Sequence, residues 1–122
     1  MSRVEFVLIG TEQAFDAVSA RVAALLGVEA ELTGEDTVFP LEDGGWVELD
    51  PDGFDPWTDE RLQGFRWQLA VGGLDDRRQE AAARRVYELL AAGTTWALAL
   101  TYDHADTVVA ARTAVTPDRR RG

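Results

Sequence analysis

The chain has no cysteine, which excludes disulfides and thiolate metal sites together. It has no lysine either; all twelve basic residues are arginine. A single histidine, His104, and two serines, Ser2 and Ser19, leave little material for nucleophilic or acid–base catalysis. No Gly-x-Ser-x-Gly, His-Glu-x-x-His or glycine-rich phosphate loop occurs. No apolar run approaches the roughly 20 residues of a membrane span. The run in MSRVEFVLIG is too short for a signal peptide. These absences lead us to expect a cytoplasmic, non-enzymatic protein that needs no cofactor and no metal.

What the chain does hold is carboxylate. Its 122 residues are enough for one domain with one core, and they carry a net charge of −10. Nucleic acid and anionic membrane surfaces repel such a chain, so neither is expected as a direct partner. The same field speeds capture of a cationic protein. The charge is also concentrated. Residues 29–60, EAELTGEDTVFPLEDGGWVELDPDGFDPWTDE, hold twelve acids and no Arg, Lys or His, whereas the other ninety residues hold ten acids and all the arginines. Phe39, Trp46, Phe54 and Trp57 are interleaved with the acids. A face that only kept the protein soluble would not need four large aromatics, and a disordered segment rarely carries them. We therefore read the stretch as a folded acidic surface with apolar anchors.

Hydrophobic periodicity places the elements. Residues 3–9, RVEFVLI, are apolar on both faces, as in a covered central strand. Thr11 is a helix N-cap candidate, and Phe15, Val18, Val22 and Leu25 repeat at helical spacing up to Gly27. A meander is expected next, with Val28, Ala30 and Leu32 pointing inward. A strand over residues 37–41 contains Pro40, which points to an edge or a bulge. Residues 42–45, EDGG, form a hairpin loop. In the following strand Val47 and Leu49 share the inner face, and Trp46, Glu48 and Asp50 share the outer. Residues 51–63 read as a long loop. Phe65, Trp67, Leu69 and Val71 alternate along a half-buried strand that Gly72 and Gly73 break.

The second helix is expected over residues 76–92, with Asp76 and Gln79 as a capping box and Ala82, Val86, Leu89 and Leu90 buried. Arg77, Arg78, Arg84 and Arg85 give it a basic face. Two strands, residues 95–102 and 107–112, complete the chain, and residues 113–122 read as a frayed tail. The order β-α-β-β-β-β-α-β-β indicates a single α+β domain over residues 1–112. It is a mostly antiparallel sheet of five to seven strands with two helices packed on one face.

The candidate partner-binding residues are Glu42, Asp43, Trp46, Glu48, Asp50, Asp52, Phe54, Asp55, Trp57, Asp59 and Glu60. Trp67 and Trp96 are assigned to the core. His104 falls in a hairpin turn between Asp103 and Asp106, as a solvent-exposed residue. Residues 50–55, DPDGFD, imitate a calcium loop only superficially. Glycine comes fourth, Phe54 occupies a ligand position, and no Glu stands twelfth, so they read as an acidic turn.

The layout has a counterpart. The strand–helix start over residues 4–26, the acidic middle, the FRWQL strand at 65–69, the helix ending VYELL at 86–90, and the strands WALAL at 96–100 and DTVVA at 106–110 carry it. Over residues 4–112 this layout resembles the small bacterial immunity proteins of polymorphic toxin systems, notably the Sit-type group. The resemblance implies a cytoplasmic inhibitor that binds one cognate toxin domain, in some members a nuclease whose active site is covered by acidic groups. It supplies no fixed site residues. The alternative is a structural or adaptor protein that acts through sheet-edge pairing or homodimerisation.

Overall fold

The computed structural model describes residues 4–33, 36–42, 44–50, 64–102 and 107–115. Along the chain run β1 (Glu5–Gly10), α1 (Phe15–Leu26), β2 (Glu31–Thr33), β3 (Asp36–Pro40), β4 (Trp46–Leu49), β5 (Trp67–Gly72), α2 (Asp76–Gly93), β6 (Ala97–Tyr102) and β7 (Thr107–Arg112). The strands form one sheet in the order β2-β3-β4-β5-β1-β6-β7. Every pairing is antiparallel. The protein is thus an α+β fold with two helices on one face of a seven-stranded antiparallel sheet, as the element order implied.

The first strand is the middle of this sheet, with Val7 opposite Leu69 of β5 on one side and Leu100 of β6 on the other. Its two-sided apolar pattern follows from that position. Val7 and Ile9 join the main core with Val18, Val22, Val47, Leu49, Leu69, Val71, Val86, Leu90, Leu98 and Leu100. Leu8 points the other way and is fully buried with Ala99 beneath Phe6, Phe65 and Val108. Trp67 and Trp96 are core residues. The Trp67 indole meets Phe15 edge-on at 5.7 Å, and its N–H donates to the Gln13 carbonyl at 3.2 Å.

Several local expectations shift. Phe65 was expected on the face of Trp67, but it precedes β5 and packs on the opposite side of the sheet, where the end of β1 needs cover. Leu32 was expected inward, yet it is 78% exposed. The reason is positional: β2 is three residues long at the sheet edge, beyond the reach of the core. Pro40 ends β3 opposite Trp46, past the last residue that β2 pairs, so its missing N–H costs no ladder bond. Alongside β6, the Val115 N–H still donates to the Thr95 carbonyl at 2.8 Å, so the chain stays attached beyond Arg112.

The helix ends differ as well. The first helix begins at Phe15, with Ala14 as N-cap and no side-chain cap; the Thr11 hydroxyl instead accepts the Gln13 N–H at 3.3 Å in the preceding turn. Gly27, at φ 71°, closes it in the left-handed conformation. The N-cap of α2 is Asp75, one residue earlier than expected, and its carboxylate accepts the Arg78 N–H at 3.0 Å and Arg78 Nε at 2.7 Å. The backbone bond first, and the guanidinium second, hold the Asp75 carboxyl below its usual pKa. That contribution is present above the ordinary carboxylate pKa and is lost as pH falls.

Moving the cap turns Gln79 inward. Its Nε2 donates to the fully buried Glu5 carboxylate of β1, and its Oε1 accepts the Leu74 N–H at 3.4 Å. At the other end Arg112 of β7 closes the helix. Its guanidinium donates to the Ala91, Thr94 and Trp96 carbonyls at 2.8, 2.7 and 3.0 Å. A cation there also meets the negative end of the helix dipole.

Two stability predictions follow from these contacts. Gln79→Ala takes a donor from a buried carboxylate and should cost about 3 kcal/mol in urea unfolding, whereas Glu5→Leu/Gln79→Leu should recover most of that loss. Arg112→Met keeps the aliphatic stem but removes the carbonyl contacts, and should cost about 2 kcal/mol.

Candidate functional site

The described residues of the acidic stretch form one flank of the sheet, from the edge strand β2 through β3 to β4. A tight turn joins the last two: the Leu41 N–H donates to the Gly45 carbonyl at 2.9 Å, and the Gly44 N–H to Leu41 at 3.2 Å. Val47 and Leu49 are fully buried under the helix layer. With a side-chain period of two, that burial turns Trp46 and Glu48 to the face opposite the helices, and Asp50 continues the row. All three are half-buried.

The neighbouring strand shapes this row. Trp46, Glu48 and Leu49 stand opposite Gly72, Ala70 and Leu69 of β5. The indole lies across Gly72 and Gly73. A Cβ at Gly72 would sit 2.6 Å from the indole Cζ2, and one at Gly73 would sit 2.9 Å from Cδ1 and Nε1. Gly73 also has φ 84°, a conformation that favours glycine. The missing side chains are therefore what lets the ring settle on the backbone. At the far end of the row, Gln68 Nε2 donates to Asp50 Oδ2 at 3.2 Å, and the Asp50 N–H bonds the Gln68 carbonyl at 3.3 Å.

Among the described residues of β2, β3 and β4, the charged side chains are all acids. Glu29 and Glu31 are exposed on the edge, and Glu48 and Asp50 lie in the row. The arginines of α2 belong to the helix layer on the other side of the sheet. Arg66, at the start of β5, has its guanidinium 5.0 Å over the Trp67 ring. Among the described residues, no three His, Asp or Glu side chains gather as a metal-ligand set.

The sequence-derived candidates divide. Trp46, Glu48 and Asp50 are brought together on the face opposite the helices. Glu42 is exposed on the turn but faces the helix side, where it lines a groove with Arg78 and Arg85, so it is parted from Trp46. Phe39, one of the interleaved aromatics, is fully buried in the core. Asp43, Asp52, Phe54, Asp55, Trp57, Asp59 and Glu60 lie outside the described residues, as do His104 and most of the 50–55 turn. Sequence reasoning missed the glycine seat of Trp46 and the Gln68 partner of Asp50. The Gly72-Gly73 pair was visible, but only the strand register gives it a purpose.

No family profile, curated protein or solved structure matches the chain.

Gly72→Ala should force the indole off its seat. The expected outcome is a loss of about 1–3 kcal/mol and a red shift in the Trp46 emission, obtained by subtracting the matching Trp46→Phe spectra. A change of that size in stability without a shift in emission would mean that the ring does not lie where it is placed.

Proposed function

We propose that this protein is an immunity-type inhibitor that binds a cationic toxin domain in the cytoplasm through the open face at β4. The observation that supports this reading is the row of Trp46, Glu48 and Asp50 on the face opposite both helices, with the indole seated on bare backbone. A large half-buried aromatic flanked by carboxylates combines the two elements that protein interfaces use. The carboxylates steer an oppositely charged partner, and the indole supplies apolar area with little loss of rotamer freedom. The net charge of −10 extends the attraction beyond contact distance. A nuclease is the favoured kind of toxin, because a surface built for phosphate is cationic and accepts carboxylates in its place.

The competing reading, an adaptor or homodimer joined through a sheet edge, is favoured by the exposed Leu32 on β2. Self-pairing there would bring exposed Glu29 and Glu31 of two copies close together, which opposes it.

The test uses the toxin encoded beside this gene, with its catalytic residue disabled. Glu48→Arg/Asp50→Arg should lower the association rate by at least about tenfold at low salt and flatten its salt dependence. Trp46→Ala should act on dissociation and cost on the order of 2 kcal/mol. Unchanged affinity in both variants would remove β4 from the interface. A tight dimer in sedimentation that Leu32→Glu dissolves would favour the edge-pairing reading instead.

A further inference from the structure

A groove of about 410 Å³ opens on the helix side of the sheet, away from the Trp46 row. One wall is α2, with Arg78, Ala82, Arg85 and Leu89; Leu26 at the end of α1 and Val28 just past its cap form another side, and the β3–β4 turn supplies Leu41 and Glu42. The volume lies within the range of small-molecule sites. The alternation in this lining matters more. Arg78 and Arg85, two turns apart, share a groove whose other α2 residues are Ala81, Ala82, Val86 and Leu89, so guanidinium groups border an apolar trough. Asp75 accepts the Arg78 guanidinium at Nε, at 2.7 Å. Among the described residues Arg85 has no carboxylate partner, in a chain whose net charge is −10. Arg78 and Arg85 are both exposed, so their terminal N–H groups can turn toward a ligand in the groove.

We propose that this groove is a binding site for a medium-chain aliphatic carboxylate, with its tail against Leu26, Val28, Leu41 and Leu89 and its head on Arg85 and the terminal nitrogens of Arg78. Guanidinium groups hold a carboxylate by paired charge-assisted hydrogen bonds, which an alcohol or an amine cannot reproduce. The apolar walls supply affinity in proportion to the chain length that they cover. Glu42, on the facing wall, sets the upper limit on anion affinity, because its charge opposes the ligand head. The site is independent of the toxin-binding reading, since none of its residues lies in the Trp46 row.

The probe is octanoate, compared with octanol and octylammonium, and followed by amide shifts and calorimetry on the full chain. Octanoate should shift the amides of 26–28, 41–42 and 78–89 saturably, and octylammonium should not displace it. Arg85→Gln should weaken it by about tenfold, and Glu42→Gln should tighten it. Ala82→Phe should fill the trough and abolish binding with the helical circular dichroism unchanged. Arg85→Gln also serves as the readout should Ala82→Phe not fold. Equal binding of all three probes would overturn the proposal, because it would show an apolar patch without head-group recognition. The absence of saturable shifts with octanoate would overturn it too. So would self-association that protects the same amides without ligand, which would assign the groove to a second copy.

Discussion

The bond between Glu5 and Gln79 sets how the two layers meet. Glu5 shares the helix-side face of the central strand with Val7 and Ile9, so its carboxylate is buried beneath α2. A buried carboxylate requires a donor, because the cost of leaving it unsatisfied exceeds that of most packing errors. Gln79 supplies one such donor, and for this α2 is turned to face β1 at that residue. The rotation then propagates along the helix at 3.6 residues per turn. Gln79, Ala83, Val86 and Leu90 fall into the core, while the row one residue earlier, Arg78, Ala82, Arg85 and Leu89, is swung to the groove. One polar contact thus helps decide which side chains pack and which remain available.

The same contact explains the cap. A capping box on Asp76 would use Gln79 to close the first turn from outside. With Gln79 committed to Glu5, the turn is closed one residue earlier by Asp75, and the Leu74 amide takes the remaining oxygen of Gln79. Arg112 closes the opposite end from β7, so the two ends of α2 are held by groups from different parts of the chain. Neither arrangement depends on the composition of the helix alone.

This is why the sequence was legible in some places and opaque in others. Element identity comes from local periodicity, and both helices and the β3–β4 hairpin lie close to where periodicity puts them. The class of the fold follows from element order. The outward row of Trp46 and Glu48 also follows, because Val47 and Leu49 are apolar and the strand period is two. What local pattern does not carry is the non-local partner. Glu5 and Gln79 are 74 residues apart, Trp46 and Gly72 meet only through the β4–β5 register, and Phe65 changes face because the open side of β1 needs cover. Leu32 fails for a related reason: its apolar character predicts burial, but an edge position denies it anything to be buried against.

The placement of charge bears on how the molecule would meet a cationic body. A uniformly acidic particle attracts cations from every direction, and most encounters then form the wrong contact. Here the described acids of β2 and β4 lie on one flank of the sheet, while Arg77, Arg78, Arg84 and Arg85 lie on the helix of the other layer. Over distances comparable with the Debye length, about 8–10 Å at ordinary salt, the separate patches are felt individually rather than as a net charge. A cationic surface near the β2–β4 flank would meet only acids among the described charged residues there, whereas α2 presents Arg77, Arg78, Arg84 and Arg85 together with Asp76, Glu80 and Glu88 and would attract it less. In such an encounter the Trp46 indole would have a physical role: steering brings the surfaces together, but only desolvated apolar area slows their separation.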